Sequence, residues 1–269
     1  MSKRPAIALL VLLVAASSAA AEIHGAWTAT AQERGELHLF MTTGGWRNFG
    51  RTFRADALGI DEAVLKATTV TAVAMRLERD AGTVLLEGTF KNGDGAGQLT
   101  FNPDRSYSAT LKSMGLALEP SEGRSDEDEL FTLAVIDVSA GYVRAMHDLY
   151  RDATLRDIRK ARAVDVTPEY IASIKQLGFE LDDMSDATRL AAIGVTAEYV
   201  LSLRAAGVDV RDVHEAKRLR AVNVTPDFIA DLAAAGYKNL SVRDLTRLAA
   251  VGVNGRFIRD MARYGDKHQ

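Results

Sequence analysis

The sequence predicts an α+β chain, an N-terminal antiparallel β meander or small barrel followed by an α-helical hairpin-repeat solenoid. Three observations carry that expectation. A short phrase recurs through the C-terminal half with a period of about 29 residues. Ahead of it, apolar residues alternate with polar ones at period two. Gly-containing turn signals separate the alternating runs, Asn92-Gly93 being the strongest.

In chain order, residues 1–21 read as a signal peptide. Lys3 and Arg4 precede an apolar stretch, Ala6 to Ala16, and small residues lead to Ala19-Ala20-Ala21 ahead of Glu22. The apolar run is short for a membrane span. The expectation is a periplasmic or secreted chain with no transmembrane segment after cleavage.

Residues 22–103 form the expected β domain. Ala26 to Ala31, Glu36 to Thr42 and Asn48 to Phe53 read as short strands between Gly-rich turns. Asp61 to Ala67 reads as a helical turn. Thr71 to Arg79 and Thr83 to Lys91 read as a hairpin closed by Asp80-Ala81-Gly82. A last strand, Gln98 to Phe101, follows the turn Asn92-Gly93-Asp94-Gly95.

Residues 104–269 form the expected αα-hairpin array. Its valines Val138, Val166, Val195, Val224 and Val253 stand 28, 29, 29 and 29 residues apart. A fixed period of this length marks units that bury their apolar faces against one another. Each unit opens with a capping residue (Thr167, Thr196, Thr225), and in two copies proline follows at the first helical position. Gly178, Gly207, Gly236 and Gly265 fall where a left-handed helix end wants glycine. A second helix starts with an acid three residues after its cap: Thr154…Asp157, Asp183…Asp186, Asp212…Glu215 and Ser241…Asp244. Asp104 to Gly115 reads as a degenerate first helix, and Leu130 to Ile136 as its partner, opened by Asp126…Glu129. Residues 119–129 between them are an acidic loop with six acids and one arginine.

Candidate chemistry is sparse. The net charge of −3 creates no general attraction to nucleic acid, and the absence of cysteine removes disulfides, thiol nucleophiles and thiolate metal sites. His214-Glu215-Ala216-Lys217-Arg218 approaches the zinc-peptidase pattern H-E-x-x-H, but Arg218 stands where the second ligand is required. Asn92 to Gly95 lacks the acids of a calcium loop. No catalytic residue, metal or cofactor is expected.

Two features remain. Tyr142, Tyr170, Tyr199, Phe228 and Phe257 occupy one place per repeat, which suits packing between units. Lys160, Arg189, Arg218 and Arg247 occupy one place on four successive second helices, so stacking aligns them in a row. Such a row suits an acidic segment, an envelope protein or an anionic polymer. Against this, each cation lies three residues after its capping acid, a spacing at which the helix pairs the two charges with each other. The acidic loop is a further candidate to cover part of the row. In the β domain, Trp27, Trp46 and Arg47 are the candidate wall of a small-ligand pocket.

Gly82-Thr83, Glu87-Gly88-Thr89-Phe90, Gly93-Asp94-Gly95-Ala96-Gly97 and Phe101-Asn102-Pro103 resemble a β module of bacterial envelope proteins. There it precedes repeats similar to Val-Thr-Pro-Glu-Tyr-Ile. Such regions form the extracytoplasmic C-terminal part of membrane zinc peptidases of the BlaR/MecR type. The present chain lacks that peptidase's membrane helices and zinc-ligand histidines, so the resemblance implies sensing or partner binding and not proteolysis. The functional expectation is a non-enzymatic exported protein whose helical-repeat surface serves protein–protein interaction or sensing; a small-ligand carrier or sensor is the alternative.

Overall fold

The protein is described here from a computed structural model, in which the structure describes residues 22–44, 47–253 and 257–258. The expected signal peptide, Gly265 and Trp46 lie outside these residues.

Six strands, β1 (Ile23–Ala31), β2 (Glu36–Thr43), β3 (Arg47–Arg54), β4 (Thr71–Arg79), β5 (Gly82–Lys91) and β6 (Asp94–Pro103), form one antiparallel sheet. Its order is β3-β2-β1-β6-β5-β4, two meanders joined where β1 pairs with β6. Alternate residues, among them Leu37, Leu39 and Met41 on β2 and Val73, Met75 and Leu77 on β4, point into the core. The sheet curls into a half-barrel. A 3-10 turn, Asp56–Leu58, touches both edge strands and inserts the fully buried Leu58. A short helix α1 (Glu62–Leu65) adds Leu65.

The last strand is longer than the sequence suggests. Only Asn92 and Gly93 form the turn, both at positive φ (53° and 86°), as a two-residue hairpin requires. Asp94 and Gly95, expected in the turn, and Ala96 and Gly97, ahead of the expected strand, already pair with β5 and β1. These glycines serve close packing. Gly97 lies opposite both Trp27 and Gly88, and a Cβ there would sit 2.0 Å from the Glu87 carbonyl oxygen.

Among the described residues ten helices with full bounds follow: α2 (Arg105–Ser113), α3 (Asp126–Val135), α4 (Ala140–Leu149), α5 (Leu155–Ala163), α6 (Pro168–Gln176), α7 (Met184–Ala192), α8 (Ala197–Ala205), α9 (Val213–Ala221), α10 (Pro226–Ala234) and α11 (Val242–Ala250). They alternate as first and second helices of successive hairpins. First helices pack on first helices (α2 on α4, α4 on α6, α6 on α8), and second on second (α5 on α7, α9 on α11). Ser139, Thr167, Thr196 and Thr225 cap the first helices by accepting the N–H three residues on. Gly115, Gly178, Gly207 and Gly236 end them at positive φ. The second helices end likewise, but on mixed residues: Asp137, Asp165, Gly194, Asn223 and Gly252, all at φ between 55° and 74°. Asp and Asn tolerate this conformation better than other side-chain-bearing residues.

α3 is the joint. Leu130 to Val135 are all buried, because one side meets β5 and β6 and the other the repeats. Phe131 lies 5.4 Å from Phe49, edge-on, and 5.2 Å from Phe101. The cap of α3 is Ser125…Asp128 and not Asp126…Glu129. That one-residue shift turns Glu129 inward, where it is 1% exposed and both its carboxylate oxygens accept from Arg159 Nη1. Further ties cross the same boundary. Asp80 accepts the first N–H of α4 at 2.8 Å, Arg79 meets Asp137 at 2.9 Å, and Arg51 meets Asp165 at 2.9 Å. One apolar core therefore runs from the sheet into the array.

Candidate partner-binding surface

The second helices α5, α7, α9 and α11 are nine residues long and built to one plan. Positions 1, 4 and 7 face inward, as Leu155, Ile158 and Ala161 do in α5 and Met184, Ala187 and Leu190 in α7. At 3.6 residues per turn, positions 2 and 6 then project from the opposite side. Lys160, Arg189, Arg218 and Arg247 are position 6 of α5, α7, α9 and α11, and all four are exposed. Position 2, one turn earlier on the same face, carries Arg156, Ser185, His214 and Arg243. The two rows make a strip directed away from the core.

Self-pairing neutralises less of the strip than its spacing suggests. Arg189 meets Asp186 at 2.6 Å. Among the described residues Lys160, Arg218 and Arg247 form no ion pair, because the acids three residues before them are turned back to the helix starts. Asp157 accepts from Thr154 N and Oγ1, Glu215 from the Arg211 N–H, and Asp244 from Ser241 Oγ. A carboxylate held at a helix N-terminus also gains from the helix dipole, which favours this use of it. The acidic loop reaches only the head of the array. Glu119 lies 3.5 Å from Arg156, Glu127 pairs with Arg105 at 2.7 Å, and Glu129 is the buried partner of Arg159. These pairs reach neither Arg189 nor Arg218.

The ring ladder works inside the array. Its hydroxyls reach forward to the next unit: Tyr142 donates to the Val166 carbonyl at 2.7 Å, Tyr170 to Val195 at 2.8 Å and Tyr199 to Val224 at 2.9 Å. Tyr107 of α2 does the same to Val138 at 2.6 Å. Burial holds all four hydroxyls above their ordinary titration range, that of Tyr199 at about 12. Arginines add a second set of ties that the sequence does not announce, because their acceptors are backbone carbonyls at helix ends. Arg162 donates to Asp137, Arg220 to Ile193, and Arg204 to Leu177 and Val210; each also stands 5.0–5.4 Å from an aromatic ring, respectively Tyr142, Tyr199 and Phe179.

In the β domain Trp27 is 1% exposed, tilted against Phe90 with ring centres 5.8 Å apart, and donates to the Glu87 carbonyl at 3.3 Å. Arg47 opens β3, next to the undescribed Trp46. Surface cavities lie along the array instead. One of about 440 Å³, between the turns after α4 and α6, is bordered by Tyr150, Asp152, Asp157, Asp182 and Asp183. Among the described residues no three His, Asp or Glu side chains converge as a metal site. His24 lies between Thr100 (3.4 Å) and Glu22 (3.6 Å), longer than the contacts of a nucleophile–base–acid triad and on an exposed sheet face. His214 is exposed, and Glu215 serves as a helix-start acid.

No helix among the described residues is long and apolar enough to cross a membrane. No protein-family model, curated protein or solved structure matches this chain.

Proposed function

We propose that this chain is a non-enzymatic binding module, exported from the cytoplasm, that recognises a macromolecular partner through the outer face of its second helices. The observation that carries the reading is the row Lys160, Arg189, Arg218, Arg247. It places four exposed cations at one position of four stacked helices, and three of them lack an acid partner among the described residues. A row of this kind speeds encounter and fixes register with an acidic partner more than it adds raw affinity. Stacked hairpins suit the role because they present an extended, rigid surface. The similarity to the extracytoplasmic region of BlaR/MecR-type peptidases, and the signal-like N-terminus, fit a role in the cell envelope.

The test is co-precipitation from envelope extract with the tagged chain, run beside an Arg189→Glu/Arg218→Glu/Arg247→Glu variant. A second control, Lys91→Glu/Lys112→Glu, changes exposed cations elsewhere. The expected result is a partner retained by the wild type and the control and lost by the triple variant. A partner held equally by all three would refute the assignment to this face.

A further inference from the structure

The spacing of the rungs and the acids between them narrow the partner's chemistry. This step rests on the reading of the strip as the binding face. We infer that the occupant is an extended acidic polypeptide segment, in a polyproline II-like conformation, with a carboxylate at every third residue.

Packed helices lie about 8–10 Å apart; α5 packs on α7 and α9 on α11, which sets that distance between the two rungs of each pair. A polyproline II chain rises about 3.1 Å per residue with three residues per turn, so every third side chain returns to the same side after about 9 Å. Carboxylates placed three apart thus meet successive rungs without bending the chain. A fully extended strand does not do this, since its third residue points to the opposite face.

The acids of the strip disfavour a denser polyanion. Asp157, Asp186 and Asp244 sit three residues before their cations on the same helices. Duplex nucleic acid carries a charge about every 1.7 Å and would bring phosphates against these carboxylates along its whole length. A partner with one charge per rung avoids them. The chain itself supplies a precedent at the head of the strip. Residues 116–122, Leu-Ala-Leu-Glu-Pro-Ser-Glu, are irregular and not helical, and they set Glu119 3.5 Å from Arg156. An acidic, proline-containing segment already meets the first helix of the strip.

The experiment is fluorescence anisotropy with the full chain and a labelled peptide of repeated Glu-Pro-Pro triplets, about 18 residues long, enough to pass every rung. Its comparator has the same composition with all glutamates in one block. The triplet peptide is expected to bind at least about fivefold more tightly, to weaken with added salt, and to lose about tenfold in affinity with Arg218→Glu/Arg247→Glu. The Lys91→Glu/Lys112→Glu control is expected to bind like the wild type, with circular dichroism showing that all variants fold. Equal binding of the two peptides, or an unaffected strip variant, overturns the inference, as does tighter binding of polyphosphate than of either peptide. If neither peptide binds while the strip variant still loses its extract partner, the inference falls and the binding face stands. If the extract partner is also indifferent to the variant, both fall.

Discussion

Removing one hydroxyl from the tyrosine ladder tests how the repeats are held together. In Tyr170→Phe the ring stays in place, but the Val195 carbonyl, on a fully buried residue, loses its 2.8 Å donor. A hydrogen bond contributes about 0.5–1.5 kcal/mol net, and a buried carbonyl left without a partner costs about 1–3 kcal/mol. A loss of about 1.5 kcal/mol is the working value, which for a chain of this size lowers Tm by about 3–6 °C. Tyr142→Phe and Tyr199→Phe make the same change one unit away on either side and should cost similar amounts. The chain contains the reverse case. Phe228 occupies the tyrosine place ahead of Val253, so Phe228→Tyr offers a donor where the described residues supply none and should stabilise by up to about 1 kcal/mol. Differential scanning calorimetry reads all four variants. Losses below about 0.3 kcal/mol at Tyr170 and Tyr199, together with destabilisation by Phe228→Tyr, would show that the rings act by packing alone.

Other perturbations have equally definite outcomes. The hydroxyls of Tyr107, Tyr142, Tyr170 and Tyr199 give an alkaline signature: their pKa values are raised in the folded state, so the unfolded chain releases those protons first. Stability is then expected to fall as pH rises above about 10, and Tyr107→Phe should flatten the slope of thermal melts across that range. Arg159→Met strands the buried Glu129 carboxylate and should cost about 3–5 kcal/mol in urea unfolding. Burial, partly offset by Arg159, already holds the Glu129 carboxyl above its ordinary range. A carboxyl raised in this way destabilises more as pH climbs from its unfolded value through its folded one, so the defect should ease in acid and be relieved by adding Glu129→Gln. Gly97→Ala drives a methyl into the Glu87 carbonyl and should cost about 2–3 kcal/mol or prevent the sheet from forming, read by circular dichroism. Asp80→Ala removes the side chain that accepts the first N–H of α4 and should cost about 1 kcal/mol in the same unfolding assay.

The repeat was legible because its signals are local. Thr167 caps its own helix, Pro168 starts it and Gly178 ends it, all within one window of sequence. Illegible parts depend on partners far along the chain or on residue types that change from copy to copy. The second left-handed position escapes notice because Asp, Gly and Asn share it. β6 looked shorter than it is, since glycines chosen for the space beside Phe90 and the Glu87–Gly88 backbone carry the composition of a turn. Glu129 read as a cap acid because Ser125…Asp128 and Asp126…Glu129 offered equivalent frames, which the burial of Glu129 against Arg159 separates. The exposed cations were visible by period. What their capping acids do instead of pairing with them depended on backbone donors such as the Arg211 N–H, which a side-chain spacing does not display.

The forward reach of the tyrosines also bears on how such a chain changes length. Each rung joins a tyrosine to the valine that begins the following unit, never to a residue specific to one copy. Excising Thr167 to Val195 would leave Val166 running into Thr196, with Tyr142 still facing Val166 and Tyr199 still facing Val224. Duplicating the same stretch would add one more rung of the same kind. Unequal recombination in the gene, at multiples of 29 codons, can therefore lengthen or shorten the array without breaking its seams. The outer face would grow or shrink by one cation at each such event, making its reach an inheritable quantity that can be tuned without redesigning the fold.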